Sequence, residues 1–132
     1  MIVLDTSAAL AALAGRPIND ALLSRLREDG DLHAPHLIDV EMVHALRRLV
    51  GSKALTMDRA SDVRSDFADL AIVRYPHHPL ADRMWELRHN LSAYDACFVS
   101  LAEALDVPLI TTDAHLARTR GHQARIELLR AG

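Results

Sequence analysis

The chain of 132 residues holds one cysteine, Cys97, which excludes an internal disulfide and a zinc cluster built on several thiolates. A reducing, cytoplasmic setting fits that usage. No apolar run is long enough to span a bilayer, and Asp5 interrupts the only apolar stretch near the start. That opening has neither the basic residues nor the apolar length of a cleaved signal peptide. A positive charge balance is also missing: 15 Lys and Arg stand against 18 Asp and Glu, for a net charge of −3. Nucleic-acid binders usually carry the opposite sign, unless acids are gathered around a cation that reverses it locally. Aromatics make up only 4% of the residues, so base stacking has few rings to draw on.

What remains is half hydrophobic and rich in alanine and leucine, the mixture of a helix-rich globular protein. Its length suits one domain with one core, spanning residues 1–132. Met1 to Leu4 reads as a buried strand, followed by a polar turn and a helix to Leu13, which Gly15-Arg-Pro17 breaks. A second helix is predicted from Ile18 to Asp29, with Gly30 as its stop. His33-Ala34 reads as a very short strand, and Pro35 as the first turn of a third helix running to about Val50. Helices are expected over Thr56–Ala71, Leu80–His89 and Ala93–Leu105, and strands over Ile72–Tyr75, Leu109–Thr112 and, at an edge, Ile126–Leu129. Strands separated by helices require crossovers, hence a parallel sheet of about four to five short strands with helices on both faces. This is a single α/β domain.

In such sheets, functional groups collect beyond the carboxyl ends of the strands. Asp5 and Asp113 each follow a predicted strand, although an aspartate there also serves simply to cap the next helix. Asp95 opens a helix that is otherwise almost wholly apolar, with Val99 and Ala102 on its own face and no Lys or Arg to neutralise it. A partly buried carboxylate without a partner shifts its pKa upward or finds a cation. Ser92-Ala-Tyr-Asp95 also fits a capping box. On the third helix, Glu41 borders the apolar stripe with His44 and Arg48 beside it, while Asp39 lies nearer the stripe's centre. Periodicity does not choose between them.

In order along the chain, these residues resemble the PIN-domain family, most closely its VapC-type ribonuclease toxins. Ile2-Val-Leu-Asp5-Thr-Ser7-Ala8 resembles the family's opening strand and D-x-S turn. Pro35-His36-Leu-Ile-Asp-Val-Glu41 resembles its second block. Leu91-Ser-Ala-Tyr-Asp95-Ala96 resembles the third block, and Leu109-Ile-Thr111-Thr-Asp113 the fourth, with its T-x-D ending. The likeness covers essentially the whole chain and no acid is missing. It selects Glu41 over Asp39. It implies that Asp5, Glu41, Asp95 and Asp113 converge on one catalytic pocket, with Ser7 and Thr111 supporting them. The resemblance further implies a toxin–antitoxin module, a small VapB-like antitoxin that blocks the site, and a homodimer of the nuclease.

Clustered carboxylates repel one another until a hard divalent ion relieves them. Mg²⁺ takes oxygen ligands and usually only one or two direct carboxylates, and Mn²⁺ has similar preferences. Asp5, Asp95 and Asp113 are the expected metal-holding acids. Arg16, Arg47, Arg48, Lys53, Arg118 and Arg120 are candidates to hold RNA phosphates at the rim, although each could equally be an ordinary solvated charge. The eight histidines, among them His33, His36, His77, His78, His115 and His122, follow no zinc-binding spacing.

Other phosphate chemistries fit less well. Haloacid-dehalogenase phosphatases and phosphoreceiver domains need a further acid close to the first and a late lysine, but Ser7 stands two residues after Asp5 and no lysine follows Lys53. Two alternatives remain open in the residues: a PIN-like binding module without activity, and a metal-dependent nuclease that acts on DNA.

Overall fold

The computed structural model describes residues 1–130. Five strands form one sheet: β1 (Ile2–Leu4), β2 (Leu32–Pro35), β3 (Ile72–Tyr75), β4 (Leu109–Thr111) and β5 (Ile126–Leu128). Their order across the sheet is β3-β2-β1-β4-β5, with every pair parallel. The expected parallel α/β architecture is therefore present.

Successive strand residues point to opposite faces of a sheet. Ile2, Val3 and Leu4 are all fully buried, so both faces are covered at the central strand. The cover comes from α1 (Thr6–Ala14), α2 (Asp20–Glu28), α3 (Leu37–Gly51), α4 (Met57–Asp69), α5 (Ala81–Glu86), α6 (Ala93–Leu105) and α7 (Ala114–Arg118). Helices α1, α3 and α4 pack against one another, while α6 lies against β1, β2 and β4 with α5 on it. An unbroken run of α6, Ala96 to Ala102, is buried, which is why its sequence is apolar all round rather than striped.

Two elements differ from the sequence expectation. Pro35 is the last residue of β2 and not the first turn of a helix; α3 starts at Leu37. A proline at a strand end leaves no buried N–H unmet, so the sheet accepts it there. The short α7 has no counterpart among the expected helices. Its five residues are too few to show a periodicity.

The chain runs from β1 outward through β2 and β3, then returns to the other side of β1 as β4. The strand order thus reverses between β1 and β4. In open α/β sheets the crevice beyond the carboxyl ends at such a reversal is where ligands bind.

Candidate active site

Asp5 leaves β1 at that point. Its backbone N–H donates to the Ile110 carbonyl at 3.1 Å, which extends the β1–β4 pairing by one residue and fixes where the side chain begins. The side chain caps α1, accepting from the Ala8 N–H at 2.8 Å. Ser7 Oγ donates to the same oxygen, Oδ1, at 2.7 Å, and Thr111 Oγ1 donates to Oδ2 at 2.5 Å. Ser7 and Thr111 are themselves 3.2 Å apart, so the hydroxyls brace each other. Capping and site-building are thus done by one carboxylate. The choice between the two that the sequence left open is not a choice.

The other two aspartates also stand at helix starts. Asp113 caps α7 through the His115 and Leu116 N–H groups, at 2.8 and 3.4 Å. Its own N–H donates to Thr111 Oγ1 at 3.0 Å, which ties it to the Asp5 cluster. Asp95 stands in the first turn of α6, where its N–H donates to Ser92 Oγ at 3.1 Å. Only the backbone of Asp95 is used in that cap, so its carboxylate is left free to face the cavity.

Glu41 lies one turn into α3 and accepts a 2.6 Å hydrogen bond from Thr6 Oγ1. Asp39 faces elsewhere: Arg74 donates to both its oxygens, at 2.6 and 2.8 Å. Two residues of helical rotation separate an acid spent on a β3 arginine from one that enters the site. Thr6 is a contributor that the sequence reading missed; its only signal was a hydroxyl next to Asp5.

Asp5, Glu41, Asp95 and Asp113 line one cavity of about 320 Å³ together with Thr6, Ser7, His44 and Phe98. No lysine or arginine lines it. Burial, above all, pushes the Asp5 carboxyl up to about 6, against the hydrogen bonds from Thr111, Ala8 and Ser7 and with the charge of Asp95 adding to the rise. Half-buried Glu41 is also raised, by burial first and then by Asp95, with Thr6 and His44 opposing. Asp95 is raised by burial and then by Asp113. Asp5, Glu41 and Asp95 are therefore each near enough to feel a neighbour's charge.

Among the described residues, no three His, Cys, Asp or Glu side chains stand close enough to close around one ion by themselves. The donor set still suits a hard cation, because Mg²⁺ needs only one or two direct carboxylates and keeps its waters. The cavity supplies carboxylate and hydroxyl oxygens and negative charge, and no lysine or arginine competes for them. Cys97 offers no soft alternative: it is buried, and burial together with Glu41 pushes its thiol up to about 11.

The model of the PIN domain matches residues 2–122. Ribonuclease VapC1 of Mycobacterium tuberculosis is 43% identical over 129 residues, covering 97% of each chain, and Ribonuclease VapC9 of the same organism is 43% identical over 98% of each. The chain belongs to the PIN-domain family, among the VapC ribonucleases. Solved PIN structures share its fold at lower identity. The VapBC2 complex of Rickettsia felis bound to a promoter DNA fragment has a TM-score of 0.71 at 16% identity, covering 96% of this chain and 98% of that one. Mycobacterium tuberculosis VapC20 has a TM-score of 0.61 at 17% identity, covering 89% and 93%.

The basic residues of this PIN domain are less gathered than its acids. Arg16 and Arg48 border separate hollows that meet the acidic cavity at Leu10. Arg47 instead borders an apolar groove between α3 and α4. Lys53, Arg118 and Arg120 are exposed and line none of these hollows.

Proposed function

We propose that this protein is a metal-dependent endoribonuclease, the toxic component of a VapBC-type module, acting in the cytoplasm as a single domain over residues 1–132. The observation that carries this reading is the convergence of four carboxylates, from four separate parts of the chain, on one cavity that no cationic side chain neutralises. The names of its relatives support RNA as the substrate. No described helix is long and apolar enough to cross a membrane.

In this reading Asp5 and Asp95 would hold Mg²⁺, directly or through water, and Asp113 and Glu41 would hold waters beside it. When bound, the ion polarises a phosphoryl oxygen and lowers the pKa of water nearby. Thr111 and Ser7 fix both oxygens of Asp5, so the ligand is held before the cation arrives. Thr6 orients Glu41, which accepts the proton of the attacking water as that oxygen bonds to phosphorus; one P–O ester bond breaks, its electron pair leaving on the ribose oxygen, which takes up a proton from solvent water. Arg16 and Arg48 are the basic residues best sited to hold flanking phosphates against the negative net charge.

The partners in this reading are a small VapB-like antitoxin that obstructs the site and a second copy of the nuclease. The groove between α3 and α4, about 280 Å³ and walled by Val43, Leu46, Val50 and Met57, supports a helical apolar partner.

Sequencing RNA ends after brief induced expression tests the function. New ends at defined positions are expected with the parent and not with Asp5→Ala, and purified protein should cut the same RNA with Mg²⁺ and stop in EDTA. Equal cleavage by parent and variant would remove the proposed roles.

A further inference from the structure

Beside the acidic cavity lies a second hollow of about 430 Å³, walled by Leu37, Val40, Glu41, His44 and Tyr94. It shares Glu41 and His44 with the acidic cavity, so the two adjoin. Tyr94 immediately precedes Asp95 at the start of α6 and is 62% exposed.

We infer that this hollow is a nucleobase subsite, in which the Tyr94 ring stacks on a base of the RNA adjoining the phosphate held at the carboxylates. This rests on the ribonuclease reading above.

The other rings are committed elsewhere. Phe67 and Phe98 are buried. Tyr75 is bound through its hydroxyl to His33 at 2.7 Å. Trp85 is exposed, but the Arg88 guanidinium lies over its ring, 4.3 Å from the centroid. Tyr94 alone presents an uncovered ring beside the acids. A base needs an apolar platform and a polar group at its edge, and the hollow offers both: Leu37 and Val40 as floor and His44 as a hydrogen-bonding group. Its volume is that of a small-molecule site. Its place beside the carboxylates favours a base over a protein partner, since a nucleotide whose phosphate sits at Asp95 has its base within reach of this hollow. Stacking tolerates any base, so the subsite holds single-stranded RNA firmly without reading its sequence alone.

The test uses full-length protein, Mg²⁺ and single-stranded oligoribonucleotides of mixed sequence. Cleavage is followed over a range of RNA concentrations for the parent, Tyr94→Phe, Tyr94→Leu and Tyr94→Ala, with circular dichroism to establish that each is folded. Tyr94→Phe should keep the parent KM within about twofold, whereas Tyr94→Leu and Tyr94→Ala should raise KM about tenfold, the range of a lost base–aromatic stack, with a smaller change in kcat. Should Leu and Phe behave alike while the parent cuts RNA, the subsite is overturned and the nuclease stands. Should Tyr94→Ala instead convert a dimer to a monomer in sedimentation while KM per site stays unchanged, the hollow is a protein interface and the inference fails. No cleavage by the parent in Mg²⁺ overturns the nuclease reading and the subsite with it.

Discussion

Thr111 and Asp5, 106 residues apart, share a 2.5 Å hydrogen bond across the β1–β4 reversal of the sheet. It joins the carboxyl ends of neighbouring parallel strands, and it holds a nearly buried carboxylate whose charge no basic side chain offsets. Such a group is destabilising in its ionised form, which has consequences that can be measured.

Asp5 ionises near 6 in the folded chain against an ordinary value of 3.8. Between those limits the folded state binds the proton more tightly, so this residue's contribution to stability is complete at low pH and is lost as pH rises through 6. The loss amounts to about 3 kcal/mol from the size of the shift. Urea unfolding in EDTA should therefore show Asp5→Asn gaining stability relative to the parent from pH 4 to pH 7, and levelling above. The amide keeps acceptors for Ser7 and Ala8. A difference that does not change with pH would contradict this origin.

Asp39 and Glu41 separate structure from activity. Asp39 is paired with Arg74 in a partly exposed, two-pronged contact, so Asp39→Ala should lower stability by roughly 0.2–1 kcal/mol with cleavage unchanged. Glu41→Gln should do the reverse, reducing kcat at least about 100-fold with the protein folded. Equal losses of activity in both variants would show that the helix, and not the acid, is what matters.

Thr6 opposes the upward shift of Glu41 through its 2.6 Å hydrogen bond. Removing the hydroxyl in Thr6→Val should raise that carboxyl further, moving the rising limb of the pH–rate profile to higher pH. On that limb the rate at a given pH should fall by up to about tenfold, the equivalent of one lost hydrogen bond to a charged group. An unshifted profile would place Glu41 outside the proton transfer.

Ser92 holds the start of α6 through the Asp95 N–H. Ser92→Ala should cost about 1 kcal/mol of stability, seen as a lower urea midpoint, with a small effect on kcat. A large loss of activity at unchanged stability would mean the cap also orients the carboxylate.

Much of this was legible in the residues. The short apolar runs at Ile2–Leu4 and Leu109–Thr111 identified themselves as buried parallel strands, and the uniformly apolar α6 made Asp95 conspicuous. Glu41 was harder. Helical periodicity could not separate it from Asp39, because Arg74, which takes up Asp39, lies on a distant strand, and only likeness to the PIN family pointed to Glu41, the one of the two that lines the acid cavity. Thr6 and α7 escaped for local reasons: one is a hydroxyl in a turn full of small polar residues, the other a helix too short for a pattern. Pro35 misled because proline favours a helix's first turn and a strand's last residue alike.

Calorimetric titration of metal-free protein with Mn²⁺ tests the central claim most directly, that the acid cavity is a cation site. Near pH 6, binding to the parent is expected with release of protons, seen as a heat that varies with the buffer's ionisation enthalpy, because Asp5 must give up its proton. Asp95→Asn should weaken binding at least about tenfold. Folded parent and variant that bind Mn²⁺ equally, or not at all, would contradict the account.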